Sequence, residues 1–464
     1  MPARLRWSMP AWRCAPGCAW RMLPDRPLHV ADHGDDSPIM TQTEPRQADP
    51  LIAILGAAGQ MTSVTALALI ARRPEFRYVL MDIDLGALGR TFKGKTGPNV
   101  KLQRVDLADS DGLRRAIHGA RLLINGAGPF HKTAGTVRSH CLDLGIDYFD
   151  IDDDVESTQA GIALDREAAS RGVALYVGHG ASPGFTNLLA VDLLKQLDEP
   201  ETVEVAWVVG DEGKSHLGRA VAQHTMHVGA GHCLTWRDGR EVVHESFADS
   251  TVFPVGGSLG DYRLYECAHP EPVTIPWSYP SLRSVTCWGG LHPQSVNGLL
   301  RGVATAVASG DLSMDQGCAF LQAVMADQFG SFAGWGRALS GMRAQVRAGH
   351  TTKGELRAFL WDAIRNVHRP TRSGMAARVS GRRNGRSVTL VRQAAALAPG
   401  TFLDTMASIT GLSAAAFALM LLDGPKRIGF QPPERWADGP AFYELCRNLG
   451  SQPLDAVVGP IIET

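Results

Sequence analysis

The chain has 464 residues, 44% hydrophobic and 20% charged, with a formal net charge of −1. That is too long for one core of usual size, which points to two domains. The balanced charge gives no reason to expect nucleic acid or an acidic membrane surface as a partner, and no apolar run reaches the roughly 20 residues of a bilayer-spanning helix.

The first forty-odd residues mix Pro, Arg and Trp without a period and then turn polar. Arg and Pro interrupt the apolar centre that a secretory signal requires. Met40 opens a plainer leader, so residues 1–39 are expected to be dispensable and residues 1–48 to form a disordered extension. Of the eight cysteines only Cys14 and Cys18 lie close together, and no second pair faces them as a zinc site requires. Free thiols in a reducing, cytoplasmic setting are expected, and no metal.

Leu51–Leu55 is a continuous apolar run, the mark of a parallel strand buried on both faces. Gly56-Ala57-Ala58-Gly59-Gln60-Met61-Thr62 follows, then an apolar helix from Val64 to Ala71. Strand, glycine turn and helix make the phosphate cradle of a dinucleotide fold. Ala58 and Met61 stand where the GxGxxG pattern has its second and third glycines, so the motif is the looser GxxGxx(T/S). Tyr78–Met81 is the second strand, and Asp82 ends it about 20 residues after Gly59, the offset of a carboxylate on the adenosine ribose. That acid favours NAD, with NADP as the second option; the other use of Asp82 or Asp84 is to cap the next helix.

The alternation continues. Val100 to Val105 is a strand, Asp109 to His118 a helix, and Arg121 to Asn125 a strand ending in Asn125-Gly126-Ala127-Gly128-Pro129, a loop on the cofactor edge. Thr136 to Leu144 is a helix, Tyr148 to Ile151 a strand, Ser157 to Arg171 a helix and Ala174 to Val177 a strand. Beyond Asn187 the pattern changes. Val203 to Val209 is a strand, and Asp238-Gly239 and Asn384-Gly385 sit at the tips of hairpins spanning Thr235–Val243 and Ala377–Arg392. Helices fall at Val296 to Ala308, Asp315 to Phe329 and Lys353 to Val367. Ala414 to Leu422 is a buried helix.

These elements predict an α/β chain: a Rossmann-type doubly wound parallel sheet over 49–182, completed by 401–464 packing back, and a second α+β domain over 183–400 with a mixed or antiparallel sheet. Leu123-Ile-Asn-Gly-Ala-Gly-Pro-Phe130, Cys141 to Asp150 and Gly180-Ala-Ser-Pro-Gly-Phe-Thr-Asn187 resemble segments of the saccharopine dehydrogenase-like oxidoreductases. So do Cys267-Ala-His269-Pro-Glu271 and, near the end, Gly429-Phe-Gln-Pro-Pro-Glu434. The resemblance spans roughly residues 50 to 450 and departs most over Trp288 to His368. It implies an NAD(P)-dependent dehydrogenase or reductase acting on a C–N bond, an amine or imine of an amino-acid-like substrate, and a homodimer formed through the second sheet. Two further readings are reduction of an activated C=C bond and a dinucleotide sensor without turnover.

Hydride transfer needs alignment, exclusion of water and one proton carrier. His is the usual carrier near neutral pH, and His179, His216, His224, His227, His232 and His269 are candidates. His269 with Glu271 gains weight from the resemblance and from preceding a Pro-rich loop; His179 gains weight from lying just past a strand. The run Asp150-Ile-Asp152-Asp153-Asp154 follows another strand and suits a substrate ammonium. Arg219, Arg263 and Arg283 are candidate carboxylate clamps. No Tyr is followed by Lys four positions on, which argues against short-chain dehydrogenase chemistry.

Overall fold

The computed structural model describes residues 50–464 apart from 211–217, 327, 329, 366, 368–371 and 396–401. The expected N-terminal extension, Cys14, Cys18 and His216 lie outside the described residues.

The chain alternates from the start: β1 (Leu51–Leu55), α1 (Gln60–Arg72), β2 (Arg77–Asp82), α2 (Leu85–Phe92), β3 (Val100–Arg104) and α3 (Ser110–Ile117). Then come β4 (Leu122–Asn125), α4 (Phe130–Leu144), β5 (Asp147–Asp150), α5 (Val155–Ala163), α6 (Asp165–Ser170) and β6 (Ala174–Tyr176). The predicted helix over Ser157–Arg171 is thus two helices. The two meet at Leu164, and Asp165, first in the second helix, accepts the Phe430 N–H at 2.8 Å.

Helix α7 (Phe185–Leu194) leads to β7 (Glu199–Val209), α8 (Arg219–Ala230) and the hairpin β8 (His232–Arg237) and β9 (Arg240–Glu245). Next are β10 (Ser250–Gly256), β11 (Gly260–Glu266), α9 (Glu271–Ser278) and β12 (Ser284–Leu291). Four helices follow, α10 (Ser295–Ala308), α11 (Met314–Met325), α12 (Phe332–Arg347) and α13 (Lys353–Arg365), then β13 (Gly374–Arg383) and β14 (Arg386–Ala395). The tail holds α14 (Met406–Asp423), β15 (Gly429–Gln431), α15 (Pro433–Trp436), α16 (Gly439–Gly450) and β16 (Ile461–Glu463).

Among the described residues the first sheet runs β15-β6-β5-β4-β1-β2-β3 with every pairing parallel. Its alternate residues sort to opposite faces, as the two-residue period demands. Ile52 and Ile54 join Leu69, Leu122 and Phe417 on one face; Ala53 and Leu55 join Leu113, Val137 and Cys141 on the other. Order and direction are those of the doubly wound fold. The second sheet is mixed, β10-β11-β12-β7-β13-β14-β16, with β12 parallel to β7 and the hairpin β8–β9 joined to β12.

Both hairpin tips are as the dipeptides predict: Asp238 and Gly239 have φ of 51° and 74°, Asn384 and Gly385 again 51° and 74°, the left-handed pair of a tight turn matched to strand twist. The tail divides between the sheets. Its α14 packs on α1 and α16, and β15 extends the first sheet, whereas β16 pairs with β14 in the second. Helix α14 is apolar all round, with a mean hydropathy of 1.6, and two-thirds of it is buried (67%), the composition of a helix enclosed on several sides. The Pro-rich stretch after His269, read from sequence as a loop, is α9. Pro272 in its first turn replaces an N–H group that has no partner within a helix, and Pro276 lies further inside.

Candidate functional site

The first sheet presents the carboxyl ends of β1, β2, β4 and β5 together. Gly56 leaves β1 with a φ of +68°, and a side chain there would put Cβ 2.7 Å from the Gly126 carbonyl. Only glycine fits both the turn and the approach. Helix α1 starts at Gln60 behind Gly59 with no side-chain cap and no acid in its first turn. The first N–H groups of α1, those of Gln60, Met61 and Thr62, therefore remain for an anion at the positive helix end. These features fit the pyrophosphate of a dinucleotide.

Asp82 closes this loop: its Oδ2 accepts the Ala58 N–H and its Oδ1 the Asp84 N–H, both at 3.1 Å. Arg104, the in-register neighbour of Asp82 on β3, is mostly exposed and faces Asp106 at 3.8 Å. Asn125 likewise shapes the backbone. Its Oδ1 accepts the Ala127 N–H at 3.1 Å and its Nδ2 donates to the Tyr148 hydroxyl at 3.0 Å, so its buried side chain sets the course of Gly126–Pro129.

Beyond that loop α8 comes close, since a Cβ on Gly128 would lie 3.5 Å from the Ala220 Cβ. One turn further along α8, His224 enters the acidic run at the end of β5. Its Nδ1 is 3.1 Å from Asp154 Oδ1 and its Nε2 is 3.2 Å from Asp153 Oδ2. Asp154 Oδ2 also accepts the main-chain N–H and ring Nδ1 of His131, both at 3.0 Å, which ties α4 to α8. His269 lies with its ring 6.0 Å from that of His224 and 5.6 Å from that of Trp207. Its Nδ1 is 2.8 Å from Glu271 Oε2. The other Glu271 oxygen accepts the hydroxyls of Ser182 and Thr186, the latter at 2.9 Å.

Behind this row Arg138 is fully buried and donates to Asp150 at 2.9 Å, Asp152 at 2.8 Å and the Ser157 carbonyl at 2.6 Å. The acidic run is therefore partly neutralised from inside, and Asp153, 34% exposed, is its member turned toward solvent. Burial would push the His224 imidazole down, but Asp153 and Asp154 outweigh it and hold the ring up at about 9. Burial raises Glu271, yet His269 and the Ser182 hydroxyl hold its carboxyl below the ordinary value.

The remaining candidates separate from this cluster. His179 is wholly enclosed by Phe149, Tyr176, Phe417 and Trp436, and its Nε2 accepts the Trp436 N–H at 2.9 Å. Burial drives its pKa well below the ordinary value. A neutral imidazole in an aromatic box cannot reach a substrate, so its expected role as proton carrier is corrected to a structural one. His232 is exposed on β8, and His227 faces Glu156 at 3.8 Å. Arg219 pairs with Asp315, Arg263 donates to Ser250 and Arg283 pairs with Asp238. The pairing of Asp153 and His224 with His269 was missed, because three separate segments supply them and no spacing links them.

Residues 52–175 match the family model of the saccharopine dehydrogenase NADP binding domain. Among solved structures, apo saccharopine dehydrogenase (L-Glu forming) from Saccharomyces cerevisiae is similar in fold: 13% identity, a TM-score of 0.56, and coverage of 89% of this chain and 100% of that one. A short-chain dehydrogenase/reductase of Veillonella parvula in complex with NADP shares 17% identity over 22% of this chain and 46% of its own, with a TM-score of 0.19. Uronate dehydrogenase of Agrobacterium tumefaciens shares 19% over 22% of this chain and 41% of its own, with a TM-score of 0.17.

Proposed function

We propose that this saccharopine dehydrogenase-like, NAD(P)-dependent oxidoreductase transfers a hydride to or from a C–N bond of an amino-acid-like substrate. One observation carries the reading: Asp153, His224 and His269 converge beside the Gly126–Pro129 loop, next to which a nicotinamide lies in a doubly wound fold. In the oxidative direction the amine carbon gives its hydride to the nicotinamide, the nitrogen lone pair forms the C=N bond, and the N–H proton leaves toward the cluster. In this reading Asp153 and His269 would take the nitrogen's proton or bind its lone pair, His224 would stay protonated beside Asp153, and the carbon would face the ring.

For the cofactor, Asp82 alone argued for NAD. Both of its oxygens, however, already receive main-chain N–H groups, Arg104 stands across from it, and the matching family model is of an NADP-binding domain. NADP(H) is therefore the preferred nucleotide in this reading, with Arg104 on the 2′-phosphate. The test is fluorescence titration with NADPH and NADH, followed by absorbance assays over amino acids, polyamines and keto-acid/amine mixtures. NADPH is expected to bind about tenfold or more tighter, as one charge-assisted pair would give, with Arg104→Ala removing the difference. Tighter NADH binding would reverse the cofactor assignment, and silence across the panel would leave a nucleotide sensor in place of an enzyme.

A further inference from the structure

Two histidines and an aspartate from three elements bring one donor atom each within 4.8 Å of one another: Asp153 after β5, His224 on α8 and His269 before α9. His224 Nε2 and Asp153 Oδ2 are 3.2 Å apart. Ligands placed about 2.0–2.1 Å from a tetrahedral ion stand about 3.3 Å from each other, so this edge already has the length a metal requires.

The far sides of the two rings distinguish the cluster from an ordinary ion pair. His224 Nδ1 is held by Asp154 at 3.1 Å and His269 Nδ1 by Glu271 at 2.8 Å. Both carboxylates are buried and are themselves fixed, Asp154 by His131 and Glu271 by Ser182 and Thr186. A carboxylate on one ring nitrogen orients the imidazole and turns the other nitrogen outward, which is how imidazoles are prepared for metals, and an ion at His224 Nε2 would replace the proton that nitrogen now shares with Asp153. Here two rings are prepared in this way around one carboxylate.

We propose that Asp153, His224 and His269 bind a divalent transition metal, zinc first, with Asp154 and Glu271 as the carboxylates that orient the two histidines. Two imidazoles and one carboxylate leave coordination positions open, the pattern of a site that also takes a substrate atom. The site rests on geometry alone. Its use, polarising the substrate nitrogen during hydride transfer, rests on the proposed function.

Untagged full-length protein is stripped with chelator and titrated with Zn2+ against a chromophoric competitor, and Co2+ is added separately to read its visible ligand-field bands. One ion per chain is expected, with binding lost in His224→Ala and His269→Ala. Glu271→Gln and Asp154→Asn should weaken it by about 10–100-fold, as for other carboxylates behind metal-bound histidines, with circular dichroism confirming that each variant is folded. Wild type binding no more tightly than the His224→Ala/His269→Ala double variant, or cobalt bands unchanged by either substitution, would overturn the site and leave His224 as an imidazolium bridging Asp153 and Asp154. NADPH fluorescence on the same samples separates the two proposals. Nucleotide binding without metal removes the ion alone, and metal without nucleotide removes the hydride reading alone.

Discussion

Glu434 is buried with Asn187 Nδ2 at 2.8 Å and Ser278 Oγ at 3.2 Å, and burial pushes its carboxyl up to about 7. The folded state thus holds this proton more tightly than the unfolded chain, in which the group titrates near 4.5. Its contribution to stability is full below that lower value and is lost as pH rises through about 7. The difference corresponds to about 3 kcal/mol. Glu434→Gln should therefore flatten the decline in denaturant stability between pH 5 and pH 8, and an unchanged slope would show that the carboxyl is ionised throughout. Single residues were the hardest scale to read from sequence. The strand, turn and helix that carry Asp82 and the glycines of the first loop were legible because they follow one another within one short segment. His269 and Glu271 were singled out together and do share a hydrogen bond, while His179 was singled out for lying past a strand and is walled in by Phe417 and Trp436, which arrive from the distant tail. No local pattern could announce those rings.

Between elements, Arg138 ties three segments together. From α4 it reaches the end of β5 through Asp150 and Asp152 and the start of α5 through the Ser157 carbonyl. Removing one member of such a network leaves a buried charge uncompensated, which typically costs 3–5 kcal/mol. Arg138→Met should lower stability by about that amount, and Asp150→Asn with Asp152→Asn in the same chain should restore part of it. A loss under about 1 kcal/mol, the range of exposed pairs, would contradict the buried network. Elements of the first sheet were legible because strands buried on both faces are continuous apolar runs. Helix α12 was missed for the opposite reason: its buried face is Gly334, Ala338, Gly341, Met342 and Gln345, mostly small or polar. A Cβ on Gly341 would come within 2.2 Å of the Gly298 carbonyl on α10. The helices pack backbone to backbone, and the residues that permit this carry no hydrophobic signal.

At the scale of the molecule, the chain crosses between its two sheets through α7 and returns through α14, whose contact with α1 stands directly behind the glycine loop. The cradle for the nucleotide is thus braced by a segment more than three hundred residues downstream, seen in the Thr65 hydroxyl donating to the Gly411 carbonyl at 2.9 Å. The cluster at its mouth combines the end of β5 with α8 and the approach to α9, so the proposed hydride chemistry would need both halves in place. The most direct measurement is a crystal structure with NADPH bound. The pyrophosphate is expected at the N–H groups that open α1 and the nicotinamide beside Gly126–Pro129, its reactive carbon facing the space between His224 and His269. A nucleotide bound elsewhere, or a nicotinamide turned away from those two histidines, would contradict that placement.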